Sequence, residues 1–87
     1  MTFTSIGFGN LINLDRVLVL TGPDSSPIKR LIQDARERGV LVDASSGRKT
    51  QAVLVLDSDH VVLSSMSPED ILAHAESDED AQAVKGE

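Results

Sequence analysis

The chain has 87 residues, no cysteine, no tryptophan and no tyrosine, and its formal net charge is −6. This length allows one small domain, and a chain of this size buries only about 60% of the surface that its unfolded form exposes. The absence of cysteine excludes disulfide bonds and thiolate metal sites. The first residues carry no cation and no long apolar run, so we expect no signal peptide, no membrane-spanning segment and a cytoplasmic location.

Acidic residues are concentrated near the C-terminal end of the sequence. Residues 76–87 contain five acidic side chains and one lysine, which gives this segment a charge of −4 and leaves −2 for residues 1–75. The segment has no apolar periodicity, as is typical of disordered and solvated chains. We therefore predict a single α+β domain over residues 1–75 and an acidic disordered tail over residues 76–87.

The first two predicted elements are strands. One runs from Phe3 to Asn10 and breaks at Gly7-Phe8-Gly9, because glycine inside a strand pattern is typical of a bulge. The other covers Leu14–Thr21 and ends at the turn Gly22-Pro23-Asp24, whose residue types favour a change of chain direction.

A helix follows, and its start and stop signals agree. Ser26 is predicted as the N-cap, Pro27 as the first helical residue and Gly39 as the end of the helix. The apolar residues between them recur at the helical spacing, at Ile28, Leu31, Ile32 and Ala35. This spacing predicts an amphipathic helix.

The rest of the chain predicts three strands and a second helix. The first of these strands begins at Val40, and the other two, 52–56 and 61–63, form a hairpin through Asp57-Ser58-Asp59-His60. Ser67-Pro68 opens the second helix, and acidic residues in its first turn suit the positive end of the helix dipole. The predicted fold class is α+β, a small mostly antiparallel sheet with two short helices in the order β-β-α-β-β-β-α.

Several predicted strands are apolar on both faces, which is typical of a sheet that is covered on both sides. Two short helices do not easily cover both faces of five strands. The remaining apolar surface must fold against the chain itself or contact another subunit. We predict a homo-oligomer, because subunit contacts also add buried surface to a small domain.

Neither catalysis nor metal binding is indicated by the sequence. Ser58, Asp59 and His60 are neighbours in a tight turn, where side chains rarely contact one another, and no Gly-x-Ser-x-Gly elbow is present. A metal site formed by Asp57, Asp59 and His60 is the alternative, but alternation along a strand directs the two aspartates away from His60. We expect no enzyme activity, no small-molecule substrate, no metal and no cofactor.

The segment Ser45-Ser46-Gly47-Arg48-Lys49-Thr50 is a basic turn between apolar strands of an acidic protein. Adjacent cations at a loop tip are typical both of solubilising loops and of anion-binding loops, in which an arginine grips a phosphate with two hydrogen bonds. Single-stranded nucleic acids are bound mainly by aromatic stacking, for which the chain offers only Phe3 and Phe8. Duplex DNA held through its phosphates is therefore the better match, and copies of the turn on several subunits would supply the necessary charge.

Six blocks of the sequence carry a further signal: Ile6-Gly7-Phe8-Gly9-Asn10, Arg16, Ser26–Arg36, Val42-Asp43-Ala44, Gly47-Arg48 and Asp57-Ser58-Asp59-His60. In order and spacing these blocks resemble the RemA family, the extracellular-matrix regulators of biofilm-forming bacteria. The resemblance runs over residues 5–68, about three-quarters of the 87-residue chain. Several matching blocks in order are more specific than any single motif among them.

This resemblance implies a DNA-binding transcriptional regulator that activates biofilm-matrix genes and assembles into a ring-shaped homo-oligomer. It also implies DNA-binding roles for Arg16, Arg48 and Lys49, which match the DNA-contacting basic positions of that family. Two positions depart from the family pattern. Lys49 keeps the charge of an arginine but lacks its bidentate fork, and Gln51 stands where we expect a further arginine.

The alternative function is an oligomeric structural or protein-interaction module that does not bind DNA. The apolar strands and the negative net charge favour this alternative, because both suit contacts with protein better than contacts with DNA. A titration of the protein against duplex DNA at two salt concentrations separates the two functions.

Overall fold

The computed structural model describes residues 2–75, and the predicted acidic tail lies outside this range. The described elements are β1 (Phe3–Gly7), β2 (Asn10–Asn13), a 3₁₀ helix (Leu14–Arg16), β3 (Val17–Thr21), α1 (Ser26–Arg38), β4 (Leu41–Asp43), β5 (Ala52–Leu56), β6 (Val61–Ser64) and α2 (68–75). The predicted α+β fold class is confirmed, with two helices and mostly antiparallel strand pairs. The elements follow the predicted order, with one additional strand before α1.

The additional strand arises because the first predicted strand is the start of a hairpin. β1 pairs antiparallel with β2, and Gly7 lies opposite Asn10. The two turn residues, Phe8 and Gly9, have φ angles of 55° and 77°, as a type I′ hairpin turn requires. The expected irregularity is present as a register shift between Ser5 and Gly7. The glycine pattern therefore produces both a bulge and a reversal of the chain.

The other four strands form one sheet in the order β3-β5-β6-β4. The central pair is antiparallel, with Leu54 opposite Val62, and β4 pairs in parallel with β6. The predicted hairpin through residues 57–60 joins β5 to β6. β5 and β6 have neighbours on both sides and therefore form the centre of the sheet. Both strands are rich in valine and leucine.

Apolar residues of the two central strands are buried on both faces of the sheet. One face packs against α1 in a cluster that contains Ala35, Val53, Val61 and Leu63. The other face contributes Ala52, Leu54 and Val62 to a second cluster, which also contains Ala44 after β4. The β1–β2 hairpin adds Ile6 and Ile12 to this cluster, and α2 adds Ile71. The hairpin thus covers apolar surface that two helices alone leave open.

The N-terminal cap of α1 is one residue earlier than predicted. Ser25, not Ser26, has an extended backbone, and its Oγ accepts a hydrogen bond from the N–H of Ile28 at 3.4 Å. Pro27 then lies at the second helical position. The other end is as predicted, because Gly39 closes the helix in the left-handed conformation with a φ of 74°.

The two adjacent serines provide a direct test of this cap. We expect Ser25→Ala to lower the free energy of unfolding by about 1 kcal/mol, because the N–H that it caps loses its partner. Ser26→Ala should change that free energy by only a few tenths, since alanine is a good helix former. Urea denaturation of both variants measures the difference, and a larger loss for Ser26→Ala would contradict the assigned cap.

Candidate functional site

The basic turn (residues 45–50) connects β4 to β5 and adopts a tight conformation. Ser46 and Gly47 have φ angles of 55° and 79°, and the N–H of Arg48 donates to the carbonyl of Ser45 at 3.0 Å. The Arg48 and Lys49 side chains that follow are both exposed. Within residues 2–75 neither of them forms an ion pair with a carboxylate. Both charges are therefore available to an anionic ligand.

Hydrogen bonds fix both ends of the basic turn to the fold. At its start, Asp43 accepts from the N–H of Ser45 at 2.9 Å and also from its hydroxyl. At its end, the N–H of Gln51 donates to the carbonyl of Ser64 at 2.8 Å, and its side-chain amide donates to the carbonyl of Ser65 at 2.9 Å. Gln51 thus holds the turn against the segment after β6.

The carboxylate at the start of the turn has a perturbed pKa. The hydroxyl and the backbone N–H of Ser45 both donate to Asp43, and the positive charge of Arg36 adds to their effect. Each of these interactions favours the ionised form, so the pKa of Asp43 is lowered from its ordinary value of 3.8. The turn is therefore anchored by a carboxylate that stays charged in mild acid.

This anchor predicts how the stability of the turn depends on pH. Because the folded-state pKa of Asp43 is lowered, its contribution is present above the ordinary value of 3.8 and is lost as the pH falls through the folded-state pKa. In Ser45→Ala we expect the pKa to return partly toward 3.8, since one of the two donors is gone. Carbon NMR titration of the Asp43 carboxyl measures both values, and an equal pKa in the two proteins would contradict the anchor.

An aromatic ring from the β1–β2 hairpin lies beside the basic turn. The guanidinium carbon of Arg48 is 5.6 Å from the ring centroid of Phe8, within the range of a cation–π contact. The hydroxyl of Ser64 fixes the hairpin to β6 by donating to the carbonyl of Ile6 at 2.8 Å. The sequence predicts a bulge at Phe8 and offers its ring for stacking, but no local pattern indicates its contact with Arg48.

Arg16 lies at the end of the 3₁₀ helix and is held by Asp57. Its Nε is 3.1 Å from Asp57 Oδ2, and the Asp57 N–H donates to the Arg16 carbonyl at 2.9 Å. The arginine side chain remains 65% exposed. The ion pair holds the guanidinium beside Asp57 at the end of β5 but leaves it accessible to solvent.

The structure does not bring Arg16 close to the basic turn within one chain. The turn precedes β5, whereas Arg16 lies at the other end of that strand, where Val17 pairs with Leu56. A strand advances about 3.3 Å per residue, so the five-residue strand separates the two groups by roughly 15 Å or more. A ligand that contacts both groups must either span this distance or bind two copies of the chain.

One prediction about side-chain contacts in the turn at residues 57–60 is wrong. Ser58 Oγ and His60 Nδ1 lie 2.8 Å apart, although neighbours in the turn were expected not to contact one another. Asp59 between them has a φ of 71°, and this reversal brings residues 58 and 60 to the same side. The pair is exposed, and among residues 2–75 no three histidine, aspartate or glutamate side chains are grouped as a metal site requires.

No helix in the described part of the chain is long and apolar enough to cross a membrane.

Comparisons with known proteins place the chain among related sequences. A family model described as RemA-like, Extracellular matrix regulatory protein A-like, matches residues 3–74. A protein of Geobacillus thermodenitrificans is 56% identical over 71 residues, which is 82% of this chain and 82% of that protein. Proteins of Acetivibrio thermocellus and Clostridium beijerinckii are 48% and 51% identical over 98% and 92% of this chain, and over 90% and 88% of their own lengths. All three relatives carry the name "Putative regulatory protein".

The fold is that of a small α+β protein, and the matching family and relatives are named as regulatory proteins. The chain belongs to the RemA-like family, since the family model matches nearly all of the described residues and the relatives align over most of both chains. The resemblance that the sequence blocks indicated is therefore confirmed at the level of the family.

Proposed function

We propose that this chain is a cytoplasmic transcriptional regulator that binds duplex DNA, assembles into a homo-oligomeric ring and activates biofilm-matrix genes. Arg48, Lys49 and Arg16 are the proposed DNA-binding residues. The observation that carries the proposal is the basic turn, in which hydrogen bonds hold a loop with two exposed cations. The chain also belongs to a family that is named for regulatory proteins. No reaction, cofactor or metal is part of this proposal.

Phosphate contact is the chemistry that suits this turn. An arginine offers five N–H donors in a planar fork, and a lysine adds a compact charge. The bonds from Ser45 and Gln51 hold the backbone of the turn, so less conformational entropy is lost when a phosphate binds. The overall net charge of −6 opposes DNA, and the favourable contacts must therefore come from this local concentration of positive charge.

Assembly into an oligomer is supported by apolar side chains that the single chain leaves in water. Leu18 and Val19 lie on β3, an edge strand of the sheet, and are 69% and 44% exposed. Exposed leucines also lie on β2 and α2, at Leu11 and Leu72. Contacts between copies would bury such residues, cover an open sheet edge and repeat the basic turn along the DNA.

Direct titration of DNA tests this function. We expect the purified protein to retard a duplex of about 30 base pairs in a gel. The protein concentration needed to shift half of the duplex should rise steeply between 50 and 200 mM salt, as is typical of phosphate contacts. Light scattering on the same sample should give a mass of several subunits. A protein that assembles but leaves the duplex unshifted at 50 mM salt would instead be the structural or protein-interaction module.

A further inference from the structure

The turn of the β1–β2 hairpin contains a residue that its backbone conformation disfavours. Phe8 has a φ of 55°, in the left-handed region, where a bulky side chain is uncommon and asparagine or glycine is favoured. Strain of this kind persists where the surrounding structure supports it, and it occurs preferentially at functional sites. The position therefore calls for an explanation other than turn formation.

Burial in the core does not explain the phenylalanine either. The residue is 53% exposed, so much of its surface gains nothing from removal from water. What the ring does contact is the guanidinium of Arg48, whose carbon lies 5.6 Å from the ring centroid. Forty residues separate the two in the sequence, so this contact is made by the fold and not by the local chain.

A ring in this position restricts where the arginine can point. A guanidinium held over an aromatic ring keeps its N–H donors for a phosphate but loses part of its rotamer freedom before the ligand binds. Lys49 has no such contact in the described structure, and it cannot form the two-bond fork. Arg48 is thus the better organised of the two cations.

We infer that Phe8 is a positioning residue of the DNA interface, whose ring orients Arg48 toward a phosphate and places the tip of the β1–β2 hairpin against the bound duplex. This inference rests on the proposed function and deepens it. The strained backbone is then retained because a residue that fits the turn better, such as asparagine, has no ring to offer.

Variants at Phe8 test the inference by separating DNA affinity from stability. Phe8→Leu keeps apolar volume but removes the ring. We expect duplex affinity to fall at least about two- to fivefold, since a single exposed cation–π contact accounts for a factor of about 2–5 and each further copy adds to the loss. Phe8→Tyr keeps the ring and should bind within about twofold of the wild type. The control is Phe3→Leu, because Phe3 is 46% exposed on the same hairpin. This substitution should leave the affinity for duplex DNA unchanged.

A further variant moves affinity and stability in opposite directions. Phe8→Asn relieves the left-handed strain, so we expect an equal or higher melting temperature together with weaker DNA binding. In the absence of DNA, the NMR signals of the Arg48 side chain should show the upfield shift that an aromatic ring causes. That shift should disappear in Phe8→Leu and Phe8→Asn and remain in Phe8→Tyr.

The possible outcomes distinguish this inference from the proposed function. Wild-type protein that leaves duplex DNA unbound overturns both. DNA binding that depends on Arg48 but is unchanged in Phe8→Leu and Phe8→Asn overturns the role of Phe8 alone. The third outcome is that the loss of DNA affinity is proportional to the loss of melting temperature across the four variants, Phe3→Leu included. Phe8 would then have only a structural role, which also overturns the inference.

Discussion

Replacing both cations of the basic turn by alanine should reduce affinity for duplex DNA at least tenfold at 100 mM salt. Arg48→Ala with Lys49→Ala removes two phosphate interactions from each subunit, and the removal of each one also makes the log–log dependence on salt less steep by about 0.9. Fluorescence anisotropy with a labelled duplex at several salt concentrations measures the affinity and the slope together.

The matched control removes the same amount of charge elsewhere. Lys29 and Arg30 are exposed cations in the first turns of α1, and their double alanine variant has the same net charge as the turn variant. We expect it to bind DNA nearly as the wild type does. Equal losses in the two variants would show that only overall charge matters, and an unchanged slope in the turn variant would remove Arg48 and Lys49 from the interface.

The largest expected effect on stability is at Leu54 in the central strand β5. This residue is fully buried in the cluster that joins the sheet to the β1–β2 hairpin and α2. We expect Leu54→Ala to lower the free energy of unfolding by about 2–5 kcal/mol, because it leaves a cavity among side chains from three parts of the fold. In a domain of this size each kcal/mol corresponds to roughly 4–8 °C in melting temperature.

A second leucine provides the comparison for this variant. Leu11 lies on β2 and is 65% exposed, so Leu11→Ala should change the melting temperature of the dissociated chain only slightly. Calorimetry of both variants, at one protein concentration at which light scattering shows a single chain, measures the contrast. Similar losses in the two variants would mean that the described core does not hold the chain together.

Local signals predicted the elements of the fold well, because turns, caps and apolar spacing act over a few residues. Gly39 closes α1 as expected, and the hairpin at residues 57–60 forms where expected. The misplaced cap at Ser26 and the undivided first strand share a cause. Ser25 and Ser26 are the same residue type, so only backbone geometry determines which of them caps α1. Phe8 is an unusual residue for a hairpin turn, so its residue type does not indicate that the chain reverses there.

The arrangement of the candidate site was less predictable, because it depends on long-range packing. The basic turn and its cations could be predicted from their residue types alone. The contact of Phe8 with Arg48 and the ion pair of Arg16 with Asp57 each join residues about forty positions apart, which no local pattern indicates. The separation of Arg16 from the turn follows only from the register of β3 against β5.

That separation gives the oligomer a direct role in the proposed function. One chain presents Arg16 and the basic turn at opposite ends of β5, so in the proposed function each group would contact DNA by itself. Repetition of the chain multiplies both groups, and the contacts then act together with a high effective concentration. Weak single contacts on an acidic protein become sufficient only in this form.

The salt dependence of wild-type binding tests the central claim most directly. One chain offers three proposed contacts, Arg16, Arg48 and Lys49, which together give a log–log slope of about −2.7 at most. If copies of the chain bind one duplex together, the slope measured between 50 and 200 mM salt should be clearly steeper than this limit. Absence of binding, or a slope of about −2.7 or shallower, would contradict a regulator that holds DNA through repeated basic turns.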